Sequence, residues 1–140
     1  MGCVVAKVAV SKAVYAIDKP YDYLVPGPLE DRLEPGMRVL VPFGSGNRGS
    51  DGIVLALSSR ESGGGLKAIT AALDEEPVLD HQGIQLALWM RERYFCTVYD
   101  AVKAMLPAGL YYALRDCVKL TVDREAAYEA AQGSAAATKL

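Results

Sequence analysis

The sequence is poor in the residues on which most metal and acid–base centres are built. One histidine, His81, occurs in 140 residues, which argues against a zinc site on imidazoles and, given where His81 lies, against a histidine-based triad. His81 sits at the start of an expected helix and reads as a solvated or capping residue. The cysteines are three, Cys3, Cys96 and Cys117. Their number is odd and their spacing fits no zinc pattern, so they read as buried thiols of a reduced, cytoplasmic protein. An excess of positive charge is also missing: 15 Lys and Arg stand against 17 Asp and Glu, for a net charge of −2. Proteins that coat single strands draw most of their affinity from phosphate neutralisation. A bulk electrostatic grip on nucleic acid is therefore excluded, and any such binding must occur at one small place. Long apolar runs are absent too. The run over residues 2–10 is broken by Lys7, and nothing approaches the roughly 18–20 apolar residues of a membrane span or the pattern of a signal peptide. There is no GxxxxGK(S/T) phosphate loop and no GxGxxG. Gly63-Gly64-Gly65 lacks a strand-to-helix context and reads as a flexible loop.

Hydrophobic residues make up 51% of the chain, enough for one buried core in a domain of this length. Val4–Val10 is valine-rich and loosely alternating, which predicts a strand. A polar stretch follows to Pro20. Tyr23-Leu24-Val25 predicts a short strand closed by Pro26, and Gly27-Pro28 and Pro35-Gly36 predict turns. Arg38–Phe43 reads as a strong strand with Pro42 marking an edge or terminus. A loop over Gly44–Gly52 and an apolar strand over Gly52–Ser58 complete a hairpin that pairs Arg38–Phe43 with Ile53–Leu57. A second loop spans Ser58–Gly65, and Leu66–Leu73 reads as a further strand. The character then changes. Asp80 is the expected N-cap of a helix over His81–Phe95, and Val98–Leu106 a shorter helix stopped by Pro107 and Gly109. Leu114–Val122 alternates as a strand, and Glu125–Gln132 is helical in propensity. Residues 111–140 are too few to bury a core of their own, and the chain reads as a piece of a larger protein.

Four short features carry the functional information. The first is Lys19-Pro20-Tyr21-Asp22-Tyr23, two tyrosines flanking a carboxylate. Taken alone, Asp22 caps a turn and Tyr23 packs in the core. The second is Arg38 to Gly44, a strand running into glycine. The third is Gly52-Ile53-Val54, its return strand. The fourth is Leu66-Lys67-Ala68, a single lysine that in isolation is an ordinary surface residue.

In their order and spacing these features are specific. YDYLVP at 21–26, RVLVPFG at 38–44, GIV at 52–54, LKAI at 66–69 and EEPVLD at 75–80 are followed by a helix with Arg93-Tyr94 near its end and by MLPAGL at 105–110. The set resembles the family of primosomal protein N′, the replication-restart helicase PriA. The resemblance covers about residues 4–110.

It implies a mainly β fold with C-terminal helices (α+β), a small barrel-like, OB-like 3′-DNA-binding domain over residues 1–109. Residues 110–140 would be the partial start of a winged-helix domain. The function implied is recognition of the 3′-OH end of the nascent leading strand at stalled replication forks, for primosome assembly. Family positions in the end-binding pocket fall on Tyr21, Asp22, Gly44 and Lys67. Tyr21 stands where phenylalanine is frequent, and the aromatic face is kept. The three glycines before Lys67 leave its placement to what it meets, so Lys67 is expected to order on DNA. Arg48 has no assigned contact and reads as a solvated loop residue. No catalysis, no metal and no cofactor are expected of these residues. ATP, magnesium and zinc would belong to the full-length ATP-dependent 3′-to-5′ helicase, as would contacts with single-strand-binding protein and primosome factors. No membrane partner is expected. The competing reading is an OB-like or SH3-like barrel for protein–protein contacts, in which Tyr21 and Asp22 are structural. A small enzyme is disfavoured because no base–nucleophile pair is present.

Overall fold

In a computed structural model, residues 2–110, 119 and 121–131 are described. Five strands form one antiparallel sheet: β1 (Cys3–Val10), β2 (Tyr21–Leu24), β3 (Arg38–Phe43), β4 (Arg48–Arg60) and β5 (Ala71–Ala72), in the order β2-β1-β4-β3-β5. The ladder is not closed, yet its two edges are tied together. Leu24 of β2 donates its N–H to the Lys67 carbonyl at 2.9 Å and accepts from Ile69 N–H at 3.0 Å, making a single parallel bridge with Ala68. The same segment then pairs with β3 through Thr70 N–H to Leu40 O at 2.8 Å. The result is a small, mainly β, barrel-like body with helices after it, as expected.

The side-chain period of two divides β1 between two cores. Ala6, Val8 and Val10 point inward with Tyr23, Val25, Val39, Val41 and Val54. On the other face, Ala9 and Ile53 pack against the helices α2 (His81–Arg93) and α3 (Val98–Met105), through Ile84, Ala87, Val98, Tyr99, Ala101 and Val102. A strand buried on both faces keeps only loose polar alternation, which is how residues 4–10 read. The β1–β4 register shifts between Lys7, opposite Ala56, and Val8, opposite Val54. The extra residue, Leu55, is a β-bulge. It reverses the phase of β4, so that Val54 and Leu57 both reach the inner core although they are three residues apart.

Two differences from the sequence reading concern β4. The stretch expected as a loop over 44–52 is a turn at 44–47 only, and the stretch from Arg48 is already strand, paired from Phe43↔Arg48 to Arg38↔Ile53. The hairpin exists, but β3 pairs with the first half of β4 while Leu57 lies opposite Ala6 of β1. The polar residues that suggested a loop are satisfied inside the fold. Ser50 is fully buried. Ser11 Oγ donates to Asp51 Oδ1 at 2.7 Å, and Tyr99 Oη donates to Asp51 Oδ2. At its far end β4 continues to Arg60, shortening the second expected loop.

The expected strand over 66–73 contracts to Ala71–Ala72 plus the bridge at Ala68. Because β5 covers only Val39 and Leu40, Pro42 lies beyond it at the strand end, where its missing N–H leaves no ladder bond broken. Gly27-Pro28 opens a one-turn helix, α1 (Gly27–Glu30), rather than a simple turn; proline is tolerated there because a first-turn N–H has no intrahelical partner. Asp80 caps α2 as expected, its Oδ1 accepting from Gly83 N–H at 2.7 Å, and Thr97 Oγ1 caps α3 through Asp100 N–H at 3.0 Å.

Cys3 and Cys96 are half-buried free thiols rather than fully buried ones. Cys117 and most of the strand expected over 114–122 lie outside the described residues. The chain divides into two compact units, residues 1–108 and 109–140. In the second, helix α4 (Arg124–Ala131) occupies the expected place. Among the described residues no helix is long and apolar enough to cross a membrane.

Candidate functional site

The barrel-like body opens at one end into a cavity of about 480 Å³, lined by Ile17, Tyr21, Asp22, Tyr23, Phe43, Gly44, Gly65, Leu66 and Lys67. That volume lies within the range of small-ligand pockets. All four residues singled out in the sequence reach it. Tyr21 and Asp22 begin β2, Gly44 opens the β3–β4 turn, and Lys67 comes from the segment that ties β5 to β2. Residues far apart in sequence converge here because β2, β3 and that segment surround the same mouth.

The wall is aromatic. The rings of Tyr21 and Phe43 meet edge to face with centroids 5.3 Å apart, an arrangement favoured by the ring quadrupoles. Tyr21 Oη donates to the Ile17 carbonyl at 2.9 Å, and Lys19 Nζ lies 5.7 Å from the Tyr21 ring centre. Below it Tyr23 is buried, donating its hydroxyl to the Pro42 carbonyl at 2.9 Å. Burial raises the Tyr23 phenol above the usual tyrosine range, and the neighbouring Tyr21 adds to the shift. The bland reading of Tyr23 as a core residue is therefore right.

Asp22 does not cap a turn. It lies within β2 opposite Lys7, and its Oδ2 accepts from Arg60 Nη2 at 2.6 Å. Both side chains keep contact with water, so the pair is an exposed one worth at most about 1 kcal/mol. Oδ1 accepts no hydrogen bond among the described residues and remains available. Gly44 has φ +76°, a region that favours glycine. A Cβ added there would meet no protein atom within 4 Å, so the space beside this backbone is open. Lys67 is already placed: its Nζ donates to the Gly44 carbonyl at 2.8 Å. The glycines before it therefore do not leave it without a partner, contrary to the expectation that it orders only on DNA.

Sequence reasoning missed three contributors. Phe43 stood inside the RVLVPFG motif with no role assigned, although an aromatic at a strand end next to glycine was a usable signal. Ile17 gave none. Arg60 fell in a stretch read as a flexible loop. Arg48 is exposed at the start of β4. Among the described residues no group of three or more His, Cys, Asp or Glu could hold a metal ion.

An aromatic wall, one carboxylate oxygen, one ammonium and an open glycine backbone can together hold a flat ring, a hydroxyl donor and an anion. The fold and the site thus define a small, mainly β domain with an open, aromatic-walled cavity at one end. The model of the 3′ DNA-binding domain (3′BD) of PriA matches residues 7–107, and the chain belongs to that family. The replication restart protein PriA of Bacillus subtilis (strain 168) is 37% identical over 107 residues, which make up 75% of this chain and 13% of that protein. The chain thus spans a small part of the length of that relative.

Proposed function

We propose that the mouth cavity holds the 3′-terminal nucleotide of a DNA strand, and that the domain recognises the 3′-OH end of the nascent leading strand at stalled replication forks for primosome assembly. The observation that carries this reading is the convergence of Tyr21, Asp22, Gly44 and Lys67 on one cavity in a chain of this family. The Tyr21–Phe43 wall offers a face to the terminal base, and stacking of this kind is sequence-tolerant, worth about 1–3 kcal/mol per base. Such tolerance suits a protein that must accept any terminal base.

Asp22 Oδ1 accepts the hydrogen bond that a free 3′-hydroxyl donates. Bonds to ionised acceptors are short and strong. The same carboxylate repels a 3′-phosphate or a continuing phosphodiester at close range. Arg60, by holding Oδ2, orients the carboxylate and leaves the other oxygen to the ligand. Lys67 exchanges the Gly44 carbonyl for the phosphate one step back from the end, and the open backbone at Gly44 lets the nucleotide approach closely.

These residues bind and orient; no step of chemistry falls to them. In a longer cytoplasmic protein, an ATP-dependent 3′-to-5′ helicase, residues 110–140 would begin a winged-helix domain. ATP, magnesium and zinc would be taken elsewhere in that protein, through which single-strand-binding protein and primosome factors would be reached. Amide chemical-shift mapping with a dinucleotide bearing a free 3′-OH tests the placement. Shifts are expected to centre on Tyr21, Asp22, Gly44 and Lys67. Shifts confined to the helices, with the mouth unchanged, would remove the assignment.

A further inference from the structure

We infer that the DNA strand leaving the mouth cavity continues across an exposed aromatic strip, Tyr15 and Phe95, which stacks the bases preceding the terminal nucleotide. The inference rests on reading the cavity as a 3′-end site and extends that site from one nucleotide to a short single-stranded track.

Ile17 joins the two places. It lines the cavity, its carbonyl receives the Tyr21 hydroxyl, and the residue is 48% exposed. Tyr15 belongs to the same single 3-10 turn, Tyr15–Ile17. Its ring meets Phe95 edge to face with centroids 6.0 Å apart. Phe95 is 96% exposed and Tyr15 42%, so neither ring is spent on the core. Contiguous exposed apolar surface of this kind marks a place where something binds.

The turn that carries Tyr15 is nevertheless fixed. Buried Asp18 accepts from Val98 N–H at 2.9 Å and from Arg91 Nε at 3.1 Å, while Arg91 Nη2 donates to the Asp18 carbonyl at 3.1 Å. The fold therefore fastens the backbone that carries Tyr15 and leaves its ring and that of Phe95 open to water. Cations accompany the path from the cavity to the strip: Lys19 stands over Tyr21, and the Arg91 guanidinium lies 4.8 Å from the Tyr15 ring centre. Such a surface suits a single strand, whose bases stack on the rings, Arg91 adding a cation–π contribution on Tyr15 while Lys19, beside the cavity, is left to meet a phosphate. Continuity with the mouth and this charge pattern favour a nucleic-acid strand over an apolar protein segment as the occupant.

The test measures affinity for oligonucleotides of one to four nucleotides sharing the same 3′-OH end, by competition in fluorescence anisotropy, for the wild type, Phe95→Ser, Tyr15→Ser and the off-strip control Leu86→Ser. Each base stacked on the strip is expected to tighten wild-type and control binding by roughly tenfold. Phe95→Ser and Tyr15→Ser flatten that length dependence while keeping the preference for a 3′-OH over a 3′-phosphate. Length dependence unchanged in Phe95→Ser, whose side chain bears on no core residue, overturns the inference even with end preference intact. A wild type that prefers the 3′-OH but gains nothing beyond the first nucleotide also overturns it. Absence of any end preference at every length overturns the cavity reading itself, and the track with it.

Discussion

Two aspartates show how differently the same side chain is used. Asp74 is largely shielded from water against the buried Arg38, accepting from its Nε and, through the same Oδ2, from its backbone N–H, both at 2.9 Å. Asp22 shares Arg60 with solvent. Removing one partner of a buried ion pair leaves a desolvated charge, so Asp74→Ala is expected to lose about 3 kcal/mol of stability, whereas Asp22→Ala loses less than about 1 kcal/mol. Urea denaturation of the two variants checks both. A large loss for Asp22→Ala would favour a structural role and the protein-contact reading. Tyr23 carries a pH dependence. Its phenol titrates later in the folded chain than the ordinary 10.0 of the unfolded one, so the unfolded chain releases its proton first as pH rises. The contribution is full below pH 10 and is lost as pH climbs through the raised folded value. Tyr23→Phe should cost about 1 kcal/mol at neutral pH through the unpaired Pro42 carbonyl. Its stability should also fall less steeply than that of the wild type above pH 10, as read by denaturation at a series of alkaline pH values.

Among the elements, the 3-10 turn at Tyr15–Ile17 is held by the residue that follows it, Asp18. Asp18 fastens it to both helices, so Asp18→Ala orphans the Val98 amide and releases the turn. Hydrogen exchange should show Val98 losing protection and the whole domain losing about 2 kcal/mol; full protection at Val98 would deny Asp18 that role. Element by element, the legible parts were those with local signals. Strand β1, strand β3 and the capped helix α2 follow from periodicity, valine content and Asp80. The start of β4 did not, because Ser50 and Asp51 look like loop residues until Ser11 and Tyr99, distant in sequence, are brought against Asp51. The edge segment before β5 was overread as a full strand, since its pairing partners are set by barrel-like closure at Leu24 rather than by its own pattern. Gly36 is similar. Its φ of +93° marks the expected turn, but the reason no other residue fits is tertiary: a Cβ there would lie 1.9 Å from the Leu79 carbonyl oxygen.

At the scale of the whole molecule, the near-neutral charge fits recognition of an end rather than coating of a strand. The candidate site was legible only as an ordered set of motifs. No local spacing brings Tyr21, Gly44 and Lys67 together; the fold does, by drawing β2, β3 and the closing segment around one mouth. Arg60 and Phe43 entered with the geometry, and Arg60, by holding Oδ2, leaves the other Asp22 oxygen for a donor. The most direct test is fluorescence anisotropy of a short labelled oligonucleotide ending in a 3′-OH, against the same strand ending in a 3′-phosphate, at one stated salt concentration, with wild type and Asp22→Ala. Binding to the hydroxyl end is expected, with clear loss for the phosphate and disappearance of that difference in Asp22→Ala. Equal affinity of the wild type for both ends would contradict it.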